Sequence, residues 1–300
     1  MNQKQYDVII IGGSYTGLSA AMALGRALKT TLIIDSGQPC NIQTPHSHNF
    51  LTQDGKTPSD ITATGKEQVL KYPSVYFKED LVTVVEKDRK LFKVTTESEK
   101  TYYGKRLLFA TGIKDQMPDI DGFKECWGIS AIHCPYCHGY EVKEQPTAIF
   151  ANGDLAFQFS IFINNWTDQL SLITQGKSNL TDSQKSTLQE RNIQLIENNI
   201  ISISHQNGQI DSINFEDGAS LNVTALYAKL PFSQSCTLPE QLGCGINDKG
   251  FIIVDEKQST TIPGIYAAGD NCGHERSVSM AIAAGTRAGA AINLDLIMEN

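Results

Sequence analysis

The stretch "YDVIIIGGSYTGLSAAMALGRALKTTLIIDS", Tyr6 to Ser36, constrains the fold more than any other part of the chain. Asp7 to Ile11 holds a short, unbroken apolar run, the pattern of a parallel strand buried on both faces. Gly12, Ser14 and Gly17 then occupy the three positions of a G-x-G-x-x-G turn, and a small-residue helix follows through about Leu28. A second apolar run, Thr31 to Ile34, ends at Asp35, about 20 residues past the turn. In such a unit the first glycine permits a sharp turn and the third lets helix and strand pack closely. The helix N-terminus offers unpaired N–H groups to a pyrophosphate, and the acid accepts hydrogen bonds from a ribose. Ser14 departs from the pattern, because its Cβ takes room where backbone must approach phosphate. Strand, helix and terminal acid together predict a dinucleotide-binding βαβ unit.

At 300 residues the chain is long for one core, so two domains are expected. The net charge of −8 argues against nucleic acid or an anionic membrane as partner, since both reward basic surfaces. The start, "MNQKQYDVIIIGG", has no apolar h-region or small-residue cleavage site, and no run approaches the roughly 18 apolar residues of a membrane span. A soluble cytoplasmic protein is expected, in a compartment where structural disulfides are rare. Seven cysteines, odd in number and irregular in spacing, form no secreted disulfide framework.

Two later segments specify which dinucleotide. "LLFATG", Leu107 to Gly112, reads as an apolar strand ending in Ala110-Thr111-Gly112. "TTIPGIYAAGD", Thr260 to Asp270, reads as a Pro-Gly turn, a short strand and an acid before a helix. A second copy of the first unit appears at "PTAIFANGDLAFQFSIFINNWTDQLSLITQG", where Ala151, Gly153 and Ala156 replace Gly12, Ser14 and Gly17. The apolar "FQFSIFI" within it reads as a helix buried against a sheet.

These paired signatures, with "HCPYCHGYE" between them, resemble those of low-molecular-weight thioredoxin reductases, and the resemblance spans essentially the whole chain. It implies an α/β fold of two Rossmann-like domains and, by family habit, a homodimer. An FAD-binding domain would comprise 1–115 and 246–300, with a second nucleotide-type domain over 116–245. By the same resemblance FAD would be held by Gly12, Ser14, Thr16 and Gly17, by Asp35, Asn41 and Asn49, by Ala110, Thr111 and Gly112, and by Asp270. Ser279 and Met280, at the start of a helix from about Val278, complete the set, with the positive end of that helix toward the flavin.

The Cys-x-x-Cys of Cys134 and Cys137 has rivals as a redox pair. "CPYCH" matches the c-type haem pattern, but that chemistry needs export. His133, Cys134, Cys137 and His138 are all competent zinc ligands, yet residues in so short a run rarely converge on one ion, and no second half-site exists; no metal is expected. For redox work, Pro135 suits the first turn of a helix starting near Cys134, whose dipole would favour a thiolate. Placed between FAD signatures, the pair reads as a redox disulfide. The resemblance makes Cys134 the thiol that exchanges with substrate and Cys137 the one beside the flavin. The reductases usually have aspartate after the second cysteine; His138 stands there instead, as a candidate acid/base. His46 and His48 lie in a polar loop, and His274 follows Asp270 as a weaker candidate. Cys40, Cys126, Cys236, Cys244 and Cys272 carry no motif and read as inert, and Trp127 and Trp166 read as packing residues.

The electron donor is the open point. NADPH binding wants its own tight-turn glycine and arginines after the next strand to grip a 2′-phosphate. Here Ala151 takes the glycine position, and "LITQGKSNL" has no arginine. "LYAKLPFSQ" stands where the reductases carry a second Ala-x-Gly. With "IDSGQPCN" and "HSHNF", the chain looks closer to the dithiol oxidases that form the disulfides of gliotoxin and holomycin. That branch implies a small-molecule dithiol as donor and dioxygen as acceptor. The alternatives are an NADPH-dependent reductase acting on a thioredoxin-like disulfide through an atypical coenzyme site, and a flavin redox sensor without turnover.

Overall fold

In a computed structural model that describes residues 4–299, the chain forms two compact units. Unit 1 takes the chain up to Ile42, Lys56–Lys114 and everything from Phe232 on; unit 2 takes Gln43–Gly55 and Asp115–Pro231. Segments 43–55 and 232–245 therefore fall on the other side of the division from the boundaries read in the sequence. For the second segment the cause is visible. The Gln234 amide donates to the carbonyls of Gly250 and Asn271 at 2.8 and 3.0 Å, and Leu238 is buried in the core of unit 1.

Unit 1 runs β1 (Gln5–Ile11), α1 (Tyr15–Arg26), β2 (Thr31–Asp35), α2 (Pro58–Leu70), β3 (Val75–Glu79), β4 (Val82–Asp88), β5 (Leu91–Thr96) and β6 (Thr101–Phe109). The sheet order is β3-β2-β1-β6-β5-β4, and the β3, β2, β1 and β6 strands are parallel. Strand β6 is long enough to take two partners on one edge. β5 lies antiparallel beside residues 101–104, and Ile265–Ala267 lies parallel beside 107–109. Val8, Ile9 and Ile10 have no exposed surface, which explains why the sequence there does not alternate: both faces of the sheet are covered. Each such side chain contributes roughly 1.5–3 kcal/mol of apolar burial.

The last helix, Val278–Met298, packs on α1 through Gly285 and Gly289. A Cβ at either position would overlap the backbone carbonyl of Thr16 or Ala20, so these glycines set how closely the two helices approach. Helix α1 ends at Arg26, two residues short of the expected end. Leu28 adopts φ +61°, its N–H bonds the Gly25 carbonyl, and the Lys29 N–H bonds that of Leu24. This is a Schellman stop built on leucine instead of glycine, so no stop signal is written in the sequence.

Unit 2 contains five parallel strands in the order Gln194–Ile196, Leu170–Ile173, Thr147–Phe150, Ala225–Ala228, Ala131–Ile132. Apolar clusters cover both faces. The helix Gly153–Ile163 follows the central strand and buries Ala156, Phe159 and Ile163, in keeping with the reading of "FQFSIFI". A separate antiparallel sheet joins Ile200–Gln206, Gln209–Phe215 and Ser220–Asn222. Among the described residues no helix is long and apolar enough to cross a membrane.

Candidate active site

In unit 1 the turn between β1 and α1 is shaped by its glycines. Gly12 has φ +102°, and a Cβ there would run into the Ala110 carbonyl; a Cβ on Gly17 would run into the carbonyl of Gly12. Ser14 is the N-cap of α1 but makes no side-chain cap bond, and the first turn holds no acid. The N–H groups of that turn thus have no side-chain acceptor from the cap, the condition for receiving an anion. Asp35 ends β2 with each carboxylate oxygen fixed: one accepts the Gly13 N–H at 2.7 Å, the other the Gly37 N–H at 3.1 Å. Gly13, unremarked in the sequence reading, has no room for a side chain beside Asp35 and Phe77.

Ala110, Thr111 and Gly112 follow directly from β6, and the Thr111 hydroxyl is buried with no hydrogen-bond partner among the described residues. Such an orphan is costly unless something else satisfies it. Asp270 lies 3.7 Å from Arg276, both largely buried. The neighbouring Asn271 is fully buried and donates to the Phe109 carbonyl at 2.9 Å. Ser277 caps the last helix by accepting the Met280 N–H at 3.2 Å, and its hydroxyl meets that of Ser279 at 3.1 Å. The Asn41 amide donates to the Tyr15 hydroxyl at 3.2 Å. A glycine-built turn, a helix start without a side-chain cap, an acid at the strand end and a buried hydroxyl supply donors and acceptors of the kind a dinucleotide such as FAD needs, and the residues fit that group. Asn49 belongs to unit 2, where it is exposed with φ +59° and donates its N–H to Asp54 at 2.8 Å.

In unit 2 Cys134 and Cys137 are joined as a disulfide, with Cα atoms 5.3 Å apart. Cys134 is the N-cap of the helix Pro135–His138, with Pro135 at its first position. That helix is a single turn, so its dipole is far smaller than the sequence reading supposed. Tyr136, between the cysteines, is 63% exposed and packs edge-on against Phe162 and Trp166. Trp166 thus supports the disulfide turn. Gly139 closes it: a Cβ there would strike the Pro135 carbonyl and crowd the Trp166 and Tyr227 side chains. Burial, then the nearby His48, hold His138 down to about 4, so its imidazole is neutral across the ordinary range of pH. Among the described residues no three His, Cys, Asp or Glu side chains form a metal-binding group. Burial pushes the Cys126 and Cys272 thiols up to about 11 and 12, in keeping with inert roles.

The second copy of the nucleotide turn is differently built. Asn152 caps the helix Gly153–Ile163 and has all four of its side-chain hydrogen bonds filled by backbone. Its oxygen accepts the N–H groups of Gly153 and Asn179, both at 2.8 Å, and its nitrogen donates to the carbonyls of Thr174 and Lys177, both at 3.1 Å. Gln175 makes a two-way bond with the backbone of Ile200, and Glu197 accepts the Ser178 N–H. The loop after the Leu170–Ile173 strand is therefore occupied with its own protein. No motif marked Asn152; the only cue was its place directly before the glycine of "ANGD".

The pyridine nucleotide-disulphide oxidoreductase model matches residues 6–285. The chain belongs to this family. As a member of the pyridine nucleotide-disulphide oxidoreductases it is 30% identical to thioredoxin reductase tcpT of Claviceps purpurea, over 98% of this chain and 95% of the relative. It is 27% identical to thioredoxin reductase aclD of Aspergillus oryzae, over 96% and 95%. Among solved structures, that of HlmI superposes with a TM-score of 0.92 at 29% identity, covering 98% of this chain and 93% of HlmI. The α/β architecture of two Rossmann-like domains expected from sequence is that of these relatives, and the family is one of FAD-dependent enzymes acting on sulfur-containing donors.

Proposed function

We propose that the protein oxidises a dithiol through Cys134–Cys137 and passes the electrons by way of FAD to dioxygen, without NADPH. The observation that carries this reading is Asn152. In unit 1 the strand-end acid and the first turn share one hydrogen bond and leave the helix start open. In unit 2 a side chain with every donor and acceptor filled ties the turn to the loop where a nicotinamide coenzyme's ribose would sit. No arginine stands in that loop to attract a 2′-phosphate.

In this reading unit 1 is the FAD domain, with Gly12 and Gly17 giving backbone room and Ser14 and Thr16 at the phosphates. Asp35 would take the ribose, and Thr111 and Asp270 the remaining polar atoms. FAD, when bound, supplies a two-electron acceptor that dioxygen can reoxidise with release of hydrogen peroxide. At the disulfide, a substrate thiol gives its proton to neutral His138, and the thiolate bonds to Cys134 as the Cys134–Cys137 bond breaks. The second substrate thiol displaces Cys134, closing the substrate disulfide. Two electrons and two protons then reside on the enzyme pair. A homodimer and a cytoplasmic setting belong to the same proposal.

Parallel anaerobic titrations of the yellow protein with NADPH, NADH and dithiothreitol test it. Bleaching of the flavin band by dithiothreitol alone, with recovery and peroxide on admitting air, is the expected result. Bleaching by NADPH would establish the second reading, a thioredoxin reductase proper, which the names of the fungal relatives favour.

A further inference from the structure

Tyr136 follows Cys134 by two residues and precedes Cys137 by one, and its aromatic neighbours all belong to unit 2. Although 63% exposed, its ring is braced by two others. It meets Phe162 with centroids 5.8 Å apart at 61°, and Trp166 at 5.8 Å and 85°; Phe162 and Trp166 meet at 5.4 Å and 87°. The three rings form a closed, edge-on triangle. Backbone fixes its base: the Trp166 N–H bonds the Ile163 carbonyl at 2.9 Å, and the Trp166 carbonyl accepts the Glu144 N–H at 2.8 Å. Phe162 is 39% exposed, on a helix whose Phe159 and Ile163 are buried. Rings at these spacings touch one another, so a ligand meets their outer surface and not a cage between them. Packing alone would bury such side chains; here Tyr136 and Phe162 stay open to solvent beside a reactive disulfide.

The exposed parts of the two rings come to roughly 200 Å², taking about 150–250 Å² for a whole aromatic side chain. A stable protein interface needs about 800 Å² on each partner, so the patch fits a small molecule with one or two rings. We propose that Tyr136, braced by Phe162 and Trp166, is a specificity-determining residue that stacks on a flat apolar ring carried by the dithiol substrate. The inference rests on the dithiol reading above. Chain geometry keeps the Cα atoms of Cys134 and Tyr136 within about 7 Å of each other. As a substrate sulfur bonds to Cys134 and the Cys134–Cys137 bond breaks, a ring next to that sulfur comes within reach of Tyr136. The second substrate thiol then closes the substrate disulfide, so the substrate loses two electrons and two protons and the enzyme pair gains them. Tyr136 takes no part in those steps; it selects which dithiol enters them.

The test compares two dithiols that close disulfide rings of the same size, dithiothreitol and ortho-benzenedimethanethiol, by flavin turnover of the full chain in air. The readout is the ratio of their kcat/KM values, in which general damage to a variant cancels. Wild type favours the aromatic dithiol. In Tyr136→Leu, which keeps apolar bulk without a ring, that preference shrinks by about 2- to 12-fold, the worth of one aromatic pair. Tyr136→Phe keeps the wild-type ratio. A ratio unmoved in Tyr136→Leu overturns the proposal, as does a Phe variant that shifts like Leu. Should Tyr136→Leu not fold, Phe162→Leu decides in its place: a ratio moved in the same direction supports the proposal, and an unmoved one overturns it. Failure of the underlying reading looks different, since neither dithiol would then turn over the wild-type flavin.

Discussion

The Asn152 side-chain oxygen accepts the Asn179 N–H at 2.8 Å, pinning the loop after one strand of unit 2 to the turn after its neighbour. Asn152→Ala removes a helix cap and this clasp together, leaving backbone groups without partners. We expect a loss of about 1–3 kcal/mol, read as a lower midpoint in urea or heat. A change within about 0.3 kcal/mol would mean that solvent replaces the clasp at no cost.

Replacing Cys137 with serine leaves the turn's fold intact but removes the sulfur assigned to face the flavin. Stopped-flow mixing with dithiothreitol should then show no bleaching of the flavin band, while Cys134 still reacts with a thiol reagent. Bleaching at the wild-type rate would refute the assignment of roles to the two cysteines.

Gly17→Ala places a methyl onto the Gly12 carbonyl, and the helix start must move away from the turn. Overpacking against backbone should cost at least about 2 kcal/mol. The same shift spoils the opening at the first turn, so the purified variant should carry less flavin, read as a lower ratio of visible to ultraviolet absorbance. Full flavin content would place the cofactor elsewhere.

The lowered His138 has a signature in stability as well as in rate. Unfolded, this histidine binds a proton below about 6.5, its ordinary value. Folded, it does so only near 4, because burial and then His48 oppose the charge. Between those values the unfolded chain holds more protons, so stability is complete above the upper one and is lost as pH falls toward the lower. The loss is on the order of 2–3 kcal/mol. His138→Gln should flatten the urea-midpoint profile over that window, and an unaltered slope would show that other groups cause it.

The dinucleotide turn of unit 1 was legible because its constraints are local. Val8 to Ile10 are apolar since both faces of their strand are covered, and Gly12 and Gly17 are glycine since backbone lies where a Cβ would go. The cysteine pair was legible for the same reason, its bond closing over two residues. Asn152 was not: an amide that binds backbone about two dozen positions later has no pattern in one dimension. Nor was His48, whose partner Glu141 lies across a stretch of chain that belongs to the other unit. The early end of α1 escaped because Leu28 does the work usually given to glycine.

The donated loop has a practical consequence for anyone who would transplant this redox module. Excising Asp115–Pro231 as one gene fragment would keep both cysteines and the sheet beneath them. It would leave behind Gln43 and His48, and with them the contacts to the Trp127 carbonyl and to Glu141. A working graft needs a short second piece, residues 43–55, spliced back from 60 to 72 positions upstream of the first cut.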